Sequence, residues 1–119
     1  MAKSYSNALV PANSSLATGA SLTSSALNLS AVGASGNITA QVTFGATSGA
    51  SPGVSVALLI SGDNTNFYDA AFTQTTGFAA STTYTLDFAV PLEASYAQIR
   101  FTNSSGQSVT CNAQGFIAA

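Results

Sequence analysis

From Ser21 onward, apolar and polar residues alternate with a period of two, the pattern of strands with one buried and one wet face. Ile38, Ala40, Val42 and Phe44 alternate with Thr39, Gln41 and Thr43. Tyr84, Leu86, Phe88 and Val90 alternate with Thr83, Thr85, Asp87 and Ala89. Over 54–60 both faces are apolar, with Val54, Val56, Leu58 and Ile60 on one and Ala57 and Leu59 on the other. Such a strand belongs inside a sheet, because at an edge it invites aggregation. The stretches 96–101 and 109–113 continue the alternation, and shorter strands are expected at 22–29 and 67–72. After Ala113 the phase slips, which predicts a bulge at Gln114-Gly115. Turn-forming clusters at 45–53, 61–64, 76–77 and 103–106 punctuate the runs. No segment carries helical apolar spacing over three turns. The pattern therefore predicts an all-β antiparallel β-sandwich, jelly-roll or immunoglobulin-like, of seven to eight strands.

Residues 1–20 break this pattern. Tyr5, Leu9, Val10 and Leu16 follow no period that one sheet can bury, and Pro11 favours an extended chain. The expectation is an extended N-terminal arm over 1–20, followed by a single sandwich domain over 21–119. On that reading Tyr5, Leu9, Val10, Pro11 and Leu16 are assembly contacts, covered by a neighbouring subunit rather than by their own domain. At 119 residues the chain suffices for one domain with a substantial core.

Charge sharpens the picture. Only 5% of residues are charged, against about a quarter in an ordinary globular domain. Ser (18), Thr (14) and Ala (22) fill the surface positions instead. A neutral surface of that kind sheds water at little cost, since no ion must be desolvated when a partner docks. That suits a subunit buried in an assembly. With a net charge of -2 and no basic patch, nucleic acid is not an expected partner. Residues 1–20 lack the apolar run of a signal peptide, and no stretch approaches the roughly 20 apolar residues that cross a bilayer, so synthesis in the cytoplasm and no membrane partner are expected. The sequons at Asn13, Asn28, Asn37 and Asn103 then carry no meaning beyond composition.

Candidate chemistry is sparse. With no His, a Ser-His-Asp or Cys-His device cannot be built. Asp63 and Asp69, or Asp87 and Glu93, form at best loose carboxylate pairs, and no Trp-lined groove accompanies them. No enzymatic activity, metal or cofactor is expected. The oxygen-rich run 61–69 does not follow the EF-hand order of ligands. Asp63, Asn64 and Asp69 are assigned to structural turn geometry, which Asp and Asn side chains support by bonding their own backbone. Arg100 is expected to meet Asp87 or Glu93 across strands, Lys3 to be solvated, and Cys111 to be a buried, inert thiol.

Two segments carry a resemblance. The run from Leu59 through Ser61, Gly62, Asp63 and Asn64 to Phe67 resembles a strand-and-turn motif of discoidin-type jelly-roll modules, and the run from Val90 and Pro91 through Tyr96, Ile99 and Arg100 to Asn103 resembles the strand that follows it there. Asn64, Phe67 and Gln98 stand where that motif has Gly, Trp and Val. In a short, weakly charged chain the same two segments look more like the small β-sandwich virion proteins of tailed bacteriophages, above all capsid decoration (cement) proteins. That resemblance implies a virion location, a homo-oligomer (dimer or trimer), the major capsid protein or other virion proteins as partners, and clamping of neighbouring capsomers by contact alone. The alternatives are a tail, neck or fibre-base subunit, or a carbohydrate-binding module stacking sugars on Phe67, Tyr68 or Tyr84.

Overall fold

A computed structural model describes residues 4–31 and 34–118, with the side chains of residues 4–7, 70 and 71 outside the description. The described residues form nine strands and no helix: β1 Ser4–Leu16, β2 Ser21–Thr23, β3 Leu27–Asn28, β4 Ser35–Phe44, β5 Val54–Ser61, β6 Tyr68–Thr75, β7 Thr83–Ala89, β8 Tyr96–Asn103 and β9 Val109–Ala118. The β2 and β3 segments both pair with β8, so they act as one interrupted strand.

Pairing runs from the outside of the sequence inward. The first strand pairs with the last, β2 and β3 with β8, β4 with β7, and β5 with β6, all antiparallel. The chain is thus one long folded-back ribbon. Rolling that ribbon up adds the β4–β9 and β5–β8 contacts and divides it into two sheets, ordered β1-β9-β4-β7 and β2-β8-β5-β6. This is the jelly-roll topology, which resolves the choice left open between jelly roll and immunoglobulin-like sandwich.

The core lies between the sheets. Ile38, Ala40, Val42 and Phe44 of β4 face Val54, Val56 and Leu58 of β5 and Ala97, Ile99 and Phe101 of β8, all buried. The β5 strand is interior to its sheet, between β8 and β6, and Ala57 and Leu59 are buried on its outer face as well. Each large side chain hidden here stabilises the fold by about 1.5–3 kcal/mol relative to leaving it in water.

Over the described residues 4–16 the N-terminal segment is a strand of the sandwich rather than an extended arm. It is β1, and Leu9, Val10 and Leu16 are buried members of the common core. Its aperiodic look has a physical cause. Two register shifts interrupt the pairing with β9, between Ala8 and Val10 and between Val10 and Ser14, so successive apolar residues reach the core out of phase. Pro11 is exposed within the second irregularity, where no ladder bond needs its missing N–H. Asn13 takes a left-handed φ of 61° there, and the Ser14 hydroxyl donates to the Pro11 carbonyl at 2.7 Å. Tyr5 pairs through its backbone with Ile117, but its side chain, like all of Lys3, lies outside the described residues.

The bulge expected at Gln114-Gly115 is likewise on the partner strand. Alternation in β9 is unbroken, with Val109, Cys111, Ala113, Gly115 and Ile117 inward and Gln114 and Phe116 outward. Gly115 hides this phase because it is an inward position with no side chain. A Cβ there stands 2.6 Å from Leu27 Cδ1, so the fully buried Leu27 occupies the space.

Two predictions follow from this core. Leu58→Ala is expected to cost about 2–5 kcal/mol, and a variant melting within a degree or two of the parent contradicts the placement of β5. Deleting residues 4–16 is expected to abolish the cooperative thermal transition, because it strips Leu9, Val10 and Leu16 from the core. A truncated chain that melts close to the parent reinstates the arm.

Candidate functional site

The carboxylates are dispersed. Asp63 lies in the β5–β6 turn, Asp69 on β6 opposite Leu59, Asp87 on the outer face of β7, and Glu93 in the exposed segment after it. Among the described residues no three His, Cys, Asp or Glu side chains gather in a way that holds a metal. Asp69 is therefore a strand residue and not part of the turn to which the sequence assigned it. Arg100 stands opposite Thr23 and Ala57, whereas Asp87 belongs to the other sheet and Glu93 to no strand. The expected cross-strand ion pair fails because sequence alternation assigns faces but not strand order.

The turn at 61–66 is built around two side chains. Asp63 Oδ1 accepts from the backbone N–H groups of Thr65 and Asn66, both at 2.9 Å, and Oδ2 accepts from Asn66 Nδ2 at 2.9 Å. The Ser61 hydroxyl donates to Asp63 Oδ1 at 2.9 Å and accepts from the N–H groups of Asp63 and Asn64. Asn64 has a left-handed φ of 60°, which its short amide side chain tolerates. The bonds from the Asn66 and Thr65 backbone, then those from the Asn66 and Ser61 side chains, hold the Asp63 carboxyl well below the usual carboxylate range. Asp63 and Asn64 thus both lie in the turn between β5 and β6.

Sequence reading passed over a second polar knot. Asn103 and Ser105 are almost fully buried. Asn103 Nδ2 donates to the carbonyls of Leu16 at 3.1 Å and Gln107 at 2.7 Å, while Oδ1 accepts from the Ser105 amide at 3.0 Å and hydroxyl at 2.7 Å. One amide therefore ties the end of β1 to the β8–β9 turn with its hydrogen-bonding capacity filled, the condition under which a buried amide stabilises. Cys111, also inward, has its thiol pushed up to about 11 by burial, which keeps it protonated and unreactive at neutral pH.

The outer face of the β1-β9-β4-β7 sheet carries a network of side-chain hydrogen bonds. Across β4 and β7, Thr39 donates to Asp87 at 2.6 Å, Gln41 to Thr85 at 3.3 Å, and the hydroxyls of Thr43 and Thr83 share a bond at 2.9 Å. Asn112 of β9 extends the network by donating to Gln41 at 3.3 Å. These partners sit directly opposite one another in the ladder, so the face is a lattice of hydroxyls and amides with Asp87 as the charge among them. Period-two alternation foretold that these residues face outward, but not that they bond to each other. Of the proposed stacking aromatics, Tyr84 is turned inward, edge-on to Phe44 at 6.0 Å, and its hydroxyl accepts from the Ala79 amide. Tyr68 is exposed on β6, and Phe67 is half-buried.

No protein-family model matches the chain, and no curated protein matches it by sequence. Solved structures do match its fold. The VP2 subviral particle of infectious bursal disease virus aligns with a TM-score of 0.61 at 12% identity, covering 98% of this chain and 32% of that one. The PBSX exported protein XepA aligns at 0.63 and 12% identity over 95% of this chain and 36% of its own. The K3 cleaved adhesin domain of Lys-gingipain from Porphyromonas gingivalis w83 aligns at 0.52 and 16% identity, covering 83% and 63%. The chain thus spans about a third of the length of the first two. At such identities the likeness is one of fold.

The turn generates a pH-dependent prediction. Because folding lowers the Asp63 pKa, its contribution to stability is complete above the ordinary value of 3.8 and is lost as pH falls below it. Asp63→Asn keeps one accepting oxygen but loses the charge, so it is expected to melt below the parent at pH 7. The gap should narrow as pH falls through 4 and below. A gap independent of pH contradicts this account of the turn.

Proposed function

We propose that this chain is a non-enzymatic structural protein of a bacteriophage virion, a capsid decoration or cement protein that binds the major capsid protein and reinforces the shell by contact. The observation that carries the proposal is the hydrogen-bonded outer face built from Thr39, Gln41, Thr43, Thr83, Thr85 and Asn112. Its side chains are already paired within the sheet, which lowers the entropy lost when a partner fixes them. Its near-neutrality lowers the cost of excluding water. Two hydrogen-bonded sheets around one core supply a stiff block of 45 × 28 × 18 Å behind that face. The fold's likeness to a subviral-particle protein supports the same reading. In this role the chain is made in the host cytoplasm and joins the virion. A modest gain per copy then multiplies over a closed shell, where symmetry makes each contact equivalent or nearly so.

The test is to measure copy number in purified particles and to replace Gln41 on the ladder. Hundreds of copies per particle are expected, whereas tens or fewer move the chain to a tail, neck or fibre-base position, and absence from particles overturns the virion role. Gln41→Lys is expected to weaken binding to particles at least tenfold while altering stability by no more than a surface change of about 0.5 kcal/mol. Undiminished binding removes this face from the contact.

A further inference from the structure

The lateral edges of the sandwich are unequally defended against strand addition. On one side, β1 carries two register shifts, Pro11 and the left-handed Asn13, and its neighbour in the other sheet is only the short β2 and β3 segments. Bulges, proline and brevity are devices that stop foreign strands from pairing. On the other side, β7 runs for seven residues in unbroken register with β4 and ends its sheet. The Phe44 amide donates to the Thr82 carbonyl and the Val90 amide to the Gly36 carbonyl, so the even-numbered positions aim at β4. Antiparallel alternation then aims the N–H and C=O groups of Thr83, Thr85, Asp87 and Ala89 at the open edge. Gln74 of β6 shows the same direction by donating to the Asp87 carbonyl at 2.8 Å. Beside this edge lies a groove of about 150 Å³ lined by Phe72, Gln74, Asp87, Phe88 and Ala89, and Phe72 remains 55% exposed at its rim.

We infer that β7 pairs antiparallel with β7 of a second copy of this chain, about a two-fold axis through Leu86. Self-complementarity identifies the occupant. With the axis at Leu86, all seven residues of both strands pair, and Thr85 of each copy stands opposite Asp87 of the other. That contact repeats the hydroxyl-to-carboxylate bond that Thr39 already makes to Asp87 across β4 and β7. Moving the axis to Asp87 sets two carboxylates face to face, which like-charge repulsion disfavours, and moving it to Thr85 leaves Ala89 beyond the partner's strand. In the Leu86 register the Thr85 amide of the second copy takes over the Asp87 carbonyl from Gln74. The added strand also passes the groove and covers Phe72. Two four-stranded sheets become one of eight strands, an isologous interface made by β-augmentation. The inference goes beyond the virion role and stands without it, because it concerns the free chain.

Sedimentation equilibrium with charge substitutions at Thr85 tests the pairing and its register. The parent is expected to sediment at twice its chain mass of 11.8 kDa at micromolar concentration. Thr85→Asp retains an acceptor for Gln41 but places carboxylates opposite Asp87 twice per dimer. It is expected to raise the dimer Kd at least tenfold, with partial recovery in 1 M salt. Thr85→Lys places two cations opposite those carboxylates and is expected to lower the Kd. Amide exchange at Thr83 and Ala89 provides a second readout, slow in the dimeric parent and fast in a folded, monomeric Thr85→Asp variant. A parent that stays monomeric at about 100 µM overturns the inference. So does a dimer whose Kd moves the same way, or not at all, in both variants while melting curves show them folded.

Discussion

The pairing of the first strand with the last governs this molecule. In a ribbon that folds back on itself and then rolls up, β1 and β9 form the outermost pair, and their contact adds β1 to the β1-β9-β4-β7 sheet. Other features serve that junction. Two register shifts let β1 follow β9 over its length while still delivering Leu9, Val10 and Leu16 to the core. Gly115 clears the room that Leu27 fills. Asn103 fastens the Leu16 carbonyl to the turn that leads into β9. Non-local pairings of this kind carry a loop-closure entropy that only the completed core repays. Among the described residues, β1 shares the common core with the other strands.

That architecture explains how so uncharged a chain presents an orderly surface. On one face of the sheet alternation buries Ile38, Ala40, Val42 and Phe44, and on the other it lines up Thr39, Gln41 and Thr43 against Asp87, Thr85 and Thr83. The outer lattice is a consequence of the inner core, since one register fixes both. That face is covered by hydroxyls and amides whose donors and acceptors are engaged with each other.

Much of the fold was legible in the sequence wherever alternation was regular. The strands β4, β5, β7 and β8, the interior position of β5 and the turn at Asp63 and Asn64 all follow from side-chain period and turn chemistry. The misreadings have separate physical causes. Leu9, Val10 and Leu16 were assigned to a partner because bulges break the period that reveals a strand, and Gly115 disguised an inward position because it has no side chain. Asp69 and Arg100 were misassigned because faces can be read locally, whereas strand order and the exact end of a turn depend on the whole roll. The Asn103 knot and the Thr–Gln–Asn lattice were invisible for the same reason: each joins residues from strands distant in sequence. An amide at position 103 looks like any other in a chain rich in Ser, Thr and Asn.

In the proposed role, a neutral, side-chain-paired jelly-roll face seats this protein on a virion shell. A cryo-electron-microscopy reconstruction of purified particles tests it most directly. The account predicts two-sheet density of this size on the outside of the shell, with Thr39, Gln41, Thr43 and Asn112 turned toward the capsid protein. Density with that face toward solvent, or a shell without the jelly roll, contradicts it.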